Sequence, residues 1–137
     1  MHNLADELRR AADRVASLGD CSAAFDALPE VEVLAGQHSL AEARHLLDVF
    51  AVWMAGTVAR RSRPELGRAG LAARQGFATP EAMIQHVNGS SRGEAVKLVT
   101  SGILIGETDA AEKLAADQAE KRAAELLLNP PNNFDLA

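Results

Sequence analysis

Tyrosine is missing from this 137-residue chain, and cysteine and tryptophan occur once each. A solitary Cys21 cannot close an internal disulfide and offers no thiolate pair to zinc. His45 has no second histidine or cysteine beside it at metal-ligand spacing, and no paired carboxylates accompany it, so neither a metal nor a cofactor is expected. Long hydrophobic runs are also scarce. Leu46 to Ala59 is apolar or small apart from Asp48, shorter than the ~20 residues that a membrane helix requires. The opening residues, MHNLADELRRAADR, mix both charge signs and lack the apolar centre of a signal peptide. With neither an export nor a membrane signal, the chain reads as cytoplasmic. There is no P-loop, no GxGxxG after a strand and no GxSxG elbow, and nothing activates Cys21. No catalytic residue is therefore assigned and the chain is not read as an enzyme. The net charge of −5 argues against coating nucleic acid through bulk charge, but it permits a local basic patch.

What is present favours helix. Alanine, leucine and arginine are abundant and β-branched runs are few. The length predicts one domain, long enough to bury roughly two-thirds of its unfolded surface. The expectation is an all-α single-domain bundle over residues 1–128, followed by a frayed tail, 129–137, in which Phe134 docks loosely or not at all. A first helix spans Leu4 to Leu18, with Asn3 as N-cap and Gly19 as stop. Its Leu4, Leu8, Ala11, Val15 and Leu18 draw a narrow seam, which packs on the chain's own core or pairs with a second copy. Asp20 to Leu28 forms a short helix or turn carrying Phe25 inward. Pro29 to Gly36 is a connector whose EVEV pattern gives a weak strand signal.

Ser39 and Glu42 match a capping box and start a central helix over about 39–62, ended by Pro64. Leu46, Leu47, Phe50, Trp53, Met54, Thr57 and Val58 make its inward stripe. Val49, Val52 and Ala55 cover much of the rest, as in a helix buried on several sides. The residues that follow are different in kind. Arg60, Arg61, Arg63, Arg68 and Arg74 make a local positive surface on an acidic chain, and Arg92 and Lys97 add to it from a later helix. A solvated basic face and contact with phosphate or an acidic partner both fit this pattern.

Residues 68–87 have the spacing of a helix-turn-helix-like corner: Leu71 and Ala72, then Gly76 and Phe77, then Ala82, with Thr79 and Pro80 opening the second helix. That second helix offers Gln85 and His86 to base edges but no arginine or lysine, and Glu81 near its start opposes phosphate. Asn88-Gly89 marks a turn. Ser91 and Glu94 form another capping box, opening a helix to Gly102, and Ile103 to Ile105 lead on to a last helix at about Asp109 to Leu128. Its Ala111, Leu114, Ala115, Ala119, Ala123 and Leu126 form a packing stripe, a second candidate surface for a homodimer.

The segments RRSRPELG, GLAARQGFATPEAMIQ and SRGEAVKLV, with the alanine-rich helix after them, resemble the thirteen-E-twelve repeat family, most specifically from Arg60 to Leu98. In that family, mainly actinobacterial, a helical domain without assigned function precedes an HNH endonuclease module. The resemblance implies a non-catalytic helical N-terminal module that assists DNA binding. An HNH site needs histidines on a ββα scaffold around a divalent ion, and His2, His38, His45 and His86 have no such arrangement. The resemblance thus points to an isolated or truncated member lacking the nuclease half. The alternative is a protein-interaction or dimerisation module without nucleic-acid binding, or a vestigial member.

Overall fold

The computed structural model describes residues 3–129, and every regular element in it is helical. The order is α1 (Leu4–Ala16), α2 (Ser22–Asp26), α3 (Glu30–Arg60), a 3-10 helix (Pro64–Ala69), α4 (Leu71–Arg74), α5 (Pro80–Asn88) and α6 (Arg92–Leu128). No strand occurs among the described residues, so the chain is all-α. His2 and the tail with Phe134 lie outside the described residues. Two compact units divide the chain, Met1–Met54 and Ala55–Ala137, and α3 runs from one into the other.

In the first unit, Asn3 caps α1 by accepting the Asp6 amide at 2.8 Å. The seam of α1 is covered within this chain: Ala11 is fully buried, and Leu4, Leu8, Val15 and Leu18 are half-buried. Leu18 lies against Gly36, and Arg14 donates to the Glu42 carboxylate at 2.9 Å. A late residue of α1 therefore meets an early residue of α3, and the two helices run antiparallel. Both ends of the ion pair are about half exposed, so it stabilises by about 1 kcal/mol at most and serves chiefly to set register. Helix α1 stops at Ala16, two residues sooner than expected. Gly19, at φ 145°, then turns the chain where a Cβ would meet that of Ala24 at 2.8 Å. Phe25 is not carried inward; it stays 41 % exposed at the rim of a shallow apolar hollow.

The start of α3 corrects the sequence reading. Pro29, not Ser39, opens the helix: its carbonyl accepts the Glu32 and Val33 amides at 2.9 and 3.0 Å. Glu30 and Glu32 then sit in the first turn, where the helix dipole favours negative charge. The EVEV alternation is helical, not connector or strand, and Val31 and Val33 are exposed, so the alternation buries neither. Ser39 and Glu42 match a capping box in type but have other partners. The Ser39 hydroxyl donates back to the Ala35 carbonyl at 3.1 Å, a mid-helix habit of serine, and Glu42 holds Arg14. Helix α3 is also not buried all round. Leu46, Ala55, Val58 and Ala59 are buried, whereas Leu47, Trp53 and Met54 are exposed, Met54 by 65 %.

The second unit has its core where the last turns of α3 meet α5 and α6. Ala55, Val58, Ala59, Ile84, Ala95 and Val99 form it, with Leu71, Met83 and Leu98 packed around. Every large side chain in that set is aliphatic and three of the six buried residues are alanine, so the helices pack at short range. The closest approach is at Gly56, where a Cβ would stand 2.7 Å from the Gly102 carbonyl oxygen. Thr79 caps α5 by accepting the Ala82 amide at 3.1 Å. Gly89 ends that helix in the left-handed region at φ 65°. Ser91 and Glu94 form the expected reciprocal capping box at the start of α6.

From there the sequence reading parts from the structure again. Residues 92–102 and 109–128 belong to one unbroken helix. Gly102 does not end it, because that glycine is spent on the crossing with α3 rather than on a C-cap. Among the described residues nothing packs on the stripe from Ala111 to Leu126, and every residue from Glu107 to Asn129 is exposed.

Two glycine substitutions should separate the two kinds of close contact. Placing alanine at a helical glycine gains about 1 kcal/mol of propensity. At Gly56 the atoms in the way are the backbone of Gly102, which cannot rotate aside, and overpacking costs typically 1–3 kcal/mol. Gly56→Ala should therefore lower the urea midpoint. At Gly36 the obstructing atoms are the methyl ends of Leu18, which can turn. Gly36→Ala should leave the midpoint unchanged or raise it. Equal losses at both positions would contradict this account.

Candidate nucleic-acid interface

The arginine-rich segment begins where α3 runs out of hydrogen bonds. The Arg61 amide still donates to the Thr57 carbonyl at 3.0 Å, but the Ser62 amide turns to Ala59 at 3.1 Å, tightening the last turn. Pro64 forces Arg63 into extended backbone (φ −57°, ψ 144°). The chain then makes a closed loop. The Leu71 amide donates to the Arg61 carbonyl at 2.8 Å, and the Ala72 amide to the Ser62 hydroxyl oxygen at 3.1 Å. Inside the loop, Gly67 adopts φ 52° and ψ −126°, a region closed to residues with a Cβ. Its carbonyl accepts the Gly70 amide at 3.1 Å. Two hydrogen bonds at the neck and one glycine at the tip thus fix the segment that carries Arg61, Arg63 and Arg68.

All seven expected cations are exposed, and none forms an ion pair among the described residues. The structure does not bring all seven together. Arg61, Arg63 and Arg68 share the loop, and Arg74 follows at the end of α4. Arg60 turns away: its guanidinium donates to the Thr57 hydroxyl at 3.3 Å and lies against Gly106 of α6. Arg92 and Lys97 are five residues apart on α6, about 140° around the helix, so they do not share a face. Arg63 stands on the rim of a cleft of about 550 Å³ whose walls are largely small residues, Ala59, Gly67, Gly70 and Ala72 among them. Glu81 borders that cleft, and with Arg92 it also borders a neighbouring hollow of about 310 Å³. One carboxylate thus shares a cavity with each of two of the seven cations. The sequence carries only an indirect trace of the cleft, in the density of glycine and alanine from Gly67 to Ala78.

The corner at 68–87 is present in outline. Helix α4 is a single turn, Gly76 reverses the chain at φ 85°, and the Phe77 amide donates to the Ala72 carbonyl at 2.9 Å. DNA-reading pairs use two full helices, the second laid in the major groove; here the first element is four residues long. Of the two candidate base readers on α5, Gln85 is half-buried and His86 packs its ring on Phe77 with centroids 5.4 Å apart. The exposed charge lies in the loop before the corner rather than on α5.

Among the described residues, no group of three or more histidine, cysteine, aspartate or glutamate side chains is placed to hold a metal ion. Cys21 is exposed. No described helix is long and apolar enough to cross a membrane. Comparison of the chain with known protein families, with curated proteins and with solved structures finds no match in any of the three.

The loop's shape depends on Gly67. Gly67→Ala would force a Cβ into its backbone conformation, at a cost of about 1–3 kcal/mol, although the space around it is open. The expected result is a lower unfolding free energy, with faster hydrogen exchange at the Leu71 and Ala72 amides that close the loop. Unchanged exchange at those two amides would show that the glycine does not hold the neck.

Proposed function

We propose that this chain is a non-catalytic helical module that engages the DNA backbone through the loop carrying Arg61, Arg63 and Arg68, with Arg74 beside it. The observation that carries the reading is the unpaired state of these four exposed guanidinium groups on a fixed loop, within an acidic chain. Within residues 60–74 the sequence sets one carboxylate, Glu65, against five arginines. Guanidinium groups suit phosphate oxygens, a fixed backbone sets where their side chains begin, and such contacts orient a protein on a duplex without reading its sequence. The lack of arginine or lysine on α5 agrees with that division of labour. The likeness of Arg60 to Leu98 to the thirteen-E-twelve repeat family supports the same reading, in which the module accompanies an HNH endonuclease rather than acting as one.

A second reading has its own observation. Helix α6 leaves its apolar residues from Ile103 to Leu128 exposed. A protein-interaction module with no nucleic-acid role would need such a face and would leave the arginines as solvated charge.

A duplex titration by fluorescence anisotropy across a salt series separates the two. If about three to five phosphates are contacted, log K should fall with log salt at a slope of roughly −3 to −4.5. Arg61→Ala and Arg63→Ala should each reduce that slope by about one, whereas Arg60→Ala should change it least. Salt-independent binding, or no binding at low salt, would count decisively against the DNA reading.

A further inference from the structure

The exposed part of α6 is helical without needing a partner. Its alanine content and the i,i+4 spacing of Asp109 with Lys113 and of Asp117 with Lys121 favour helix. Its 22 residues from Glu107 to Leu128 exceed the ~12–15 at which isolated helices become marginal. None of this calls for leucine on the surface. Yet Leu104 and Leu126 are 58 % and 57 % exposed, and they share a face with three alanines. At about 100° per residue, Leu104, Ala111, Ala115, Ala119 and Leu126 fall within roughly 80° of arc. Their order is symmetric about Ala115: leucine eleven residues to either side, alanine four to either side. A face that reads the same in both directions is complementary to its own reverse.

We propose that α6 pairs antiparallel with α6 of a second copy of this chain, about a two-fold axis at Ala115. The proposal rests on the second reading above, that this face takes a protein, and it names the occupant. Charge decides the occupant and the direction. Arg122 lies on the same face, about 20° from its centre. In a parallel pair each residue meets its own counterpart, so two Arg122 guanidinium groups would face each other over an apolar surface. In the antiparallel pair, Arg122 lies opposite Thr108 of the other copy and next to its Glu107. Across the whole span, no two residues at equal distances on either side of Ala115 carry like charge, and Asp109 with Lys121 and Lys113 with Asp117 carry opposite charge. A different protein would gain nothing from this internal symmetry. The three central alanines allow the helix axes to approach at the short end of the usual 8–10 Å. Helix α1 is no rival surface, because its seam is already covered.

Sedimentation equilibrium of the full chain from low to high micromolar concentration tests the pairing. A dimer is expected, and Ala115→Glu, which places two carboxylates at the axis, should weaken it by at least about tenfold. Arg122→Glu should weaken it likewise, and adding Glu107→Arg should restore it, a rescue that only pairing between these two positions produces. In a Cys21→Ser background, Ala115→Cys should form a disulfide-linked dimer on mild oxidation. Ala111→Cys should cross-link to Ala119→Cys in a mixture but not to itself. Circular dichroism verifies that each variant keeps its helix. A chain that stays monomeric throughout overturns the proposal. A dimer indifferent to Ala115→Glu overturns the α6 pairing while leaving the protein-interaction reading standing. Arginine-dependent DNA binding would remove only that reading's exclusion of nucleic acid, and the pairing would still stand or fall on the dimer and its cross-links.

Discussion

The close approach of two backbones at Gly56 and Gly102 is the constraint on which the second unit depends. With no side chain at Gly56, the last turns of α3 can come within backbone contact of α6, and the buried residues these two helices add to the core are short, Ala55, Val58, Ala59, Ala95 and Val99. The crossing fixes where α3 ends, and therefore where the chain must turn once Pro64 prevents further helix. From that fixed end, the Arg61 carbonyl and the Ser62 hydroxyl receive the amides of Leu71 and Ala72. The arginine loop is thus an exposed segment hung from a backbone contact in the core. Its rigidity comes from its neck, not from burial of its own side chains.

The same crossing explains why α6 is continuous. A glycine near the end of an apolar stretch usually ends a helix by taking a left-handed conformation. Gly102 is instead buried against α3, where it is useful as the absence of a side chain within a regular helix. Gly106 is used in a related way one turn later, giving room to the Arg60 guanidinium. Beyond that point none of the described residues covers α6. Its helix persists on alanine and charge spacing, not on burial.

How far the sequence can be read depends on whether each signal is local. The caps at Asn3, Thr79 and Ser91 were legible because a cap is a contact over three residues, and each has the hydrogen bond its type predicts. The stop at Pro64 was legible for a similar reason, since its effect on Arg63 is steric and immediate. Ser39 and Glu42 show the limit. They have the types and spacing of a capping box, but a helix already running through them leaves no free amides to cap, and Arg14 from α1 claims Glu42. The alanine stripe of α6 shows another limit. Periodicity identifies a face suited to packing but does not say whether the packing partner lies in the same chain. The seven cations were found by residue type alone; which of them share a loop depends on a fold that brings residue 61 back to residue 71.

Arg60 shows how these levels meet in one residue. By sequence it belongs to the basic cluster as fully as Arg61 does. In the fold it is the last residue of α3, and at that end of a helix a cation is already favoured by the dipole. The missing Cβ at Gly106 lets its guanidinium lie along α6, and Thr57 accepts its hydrogen bond. Its charge is therefore committed to the junction between the core and the exposed length of α6. The arginines left to face a polyanion are Arg61, Arg63 and Arg68 of the loop and Arg74 after it, whose guanidinium groups form no ion pair among the described residues. Arg60 belongs to the scaffold, and the case for a binding surface rests on the residues that the scaffold does not use.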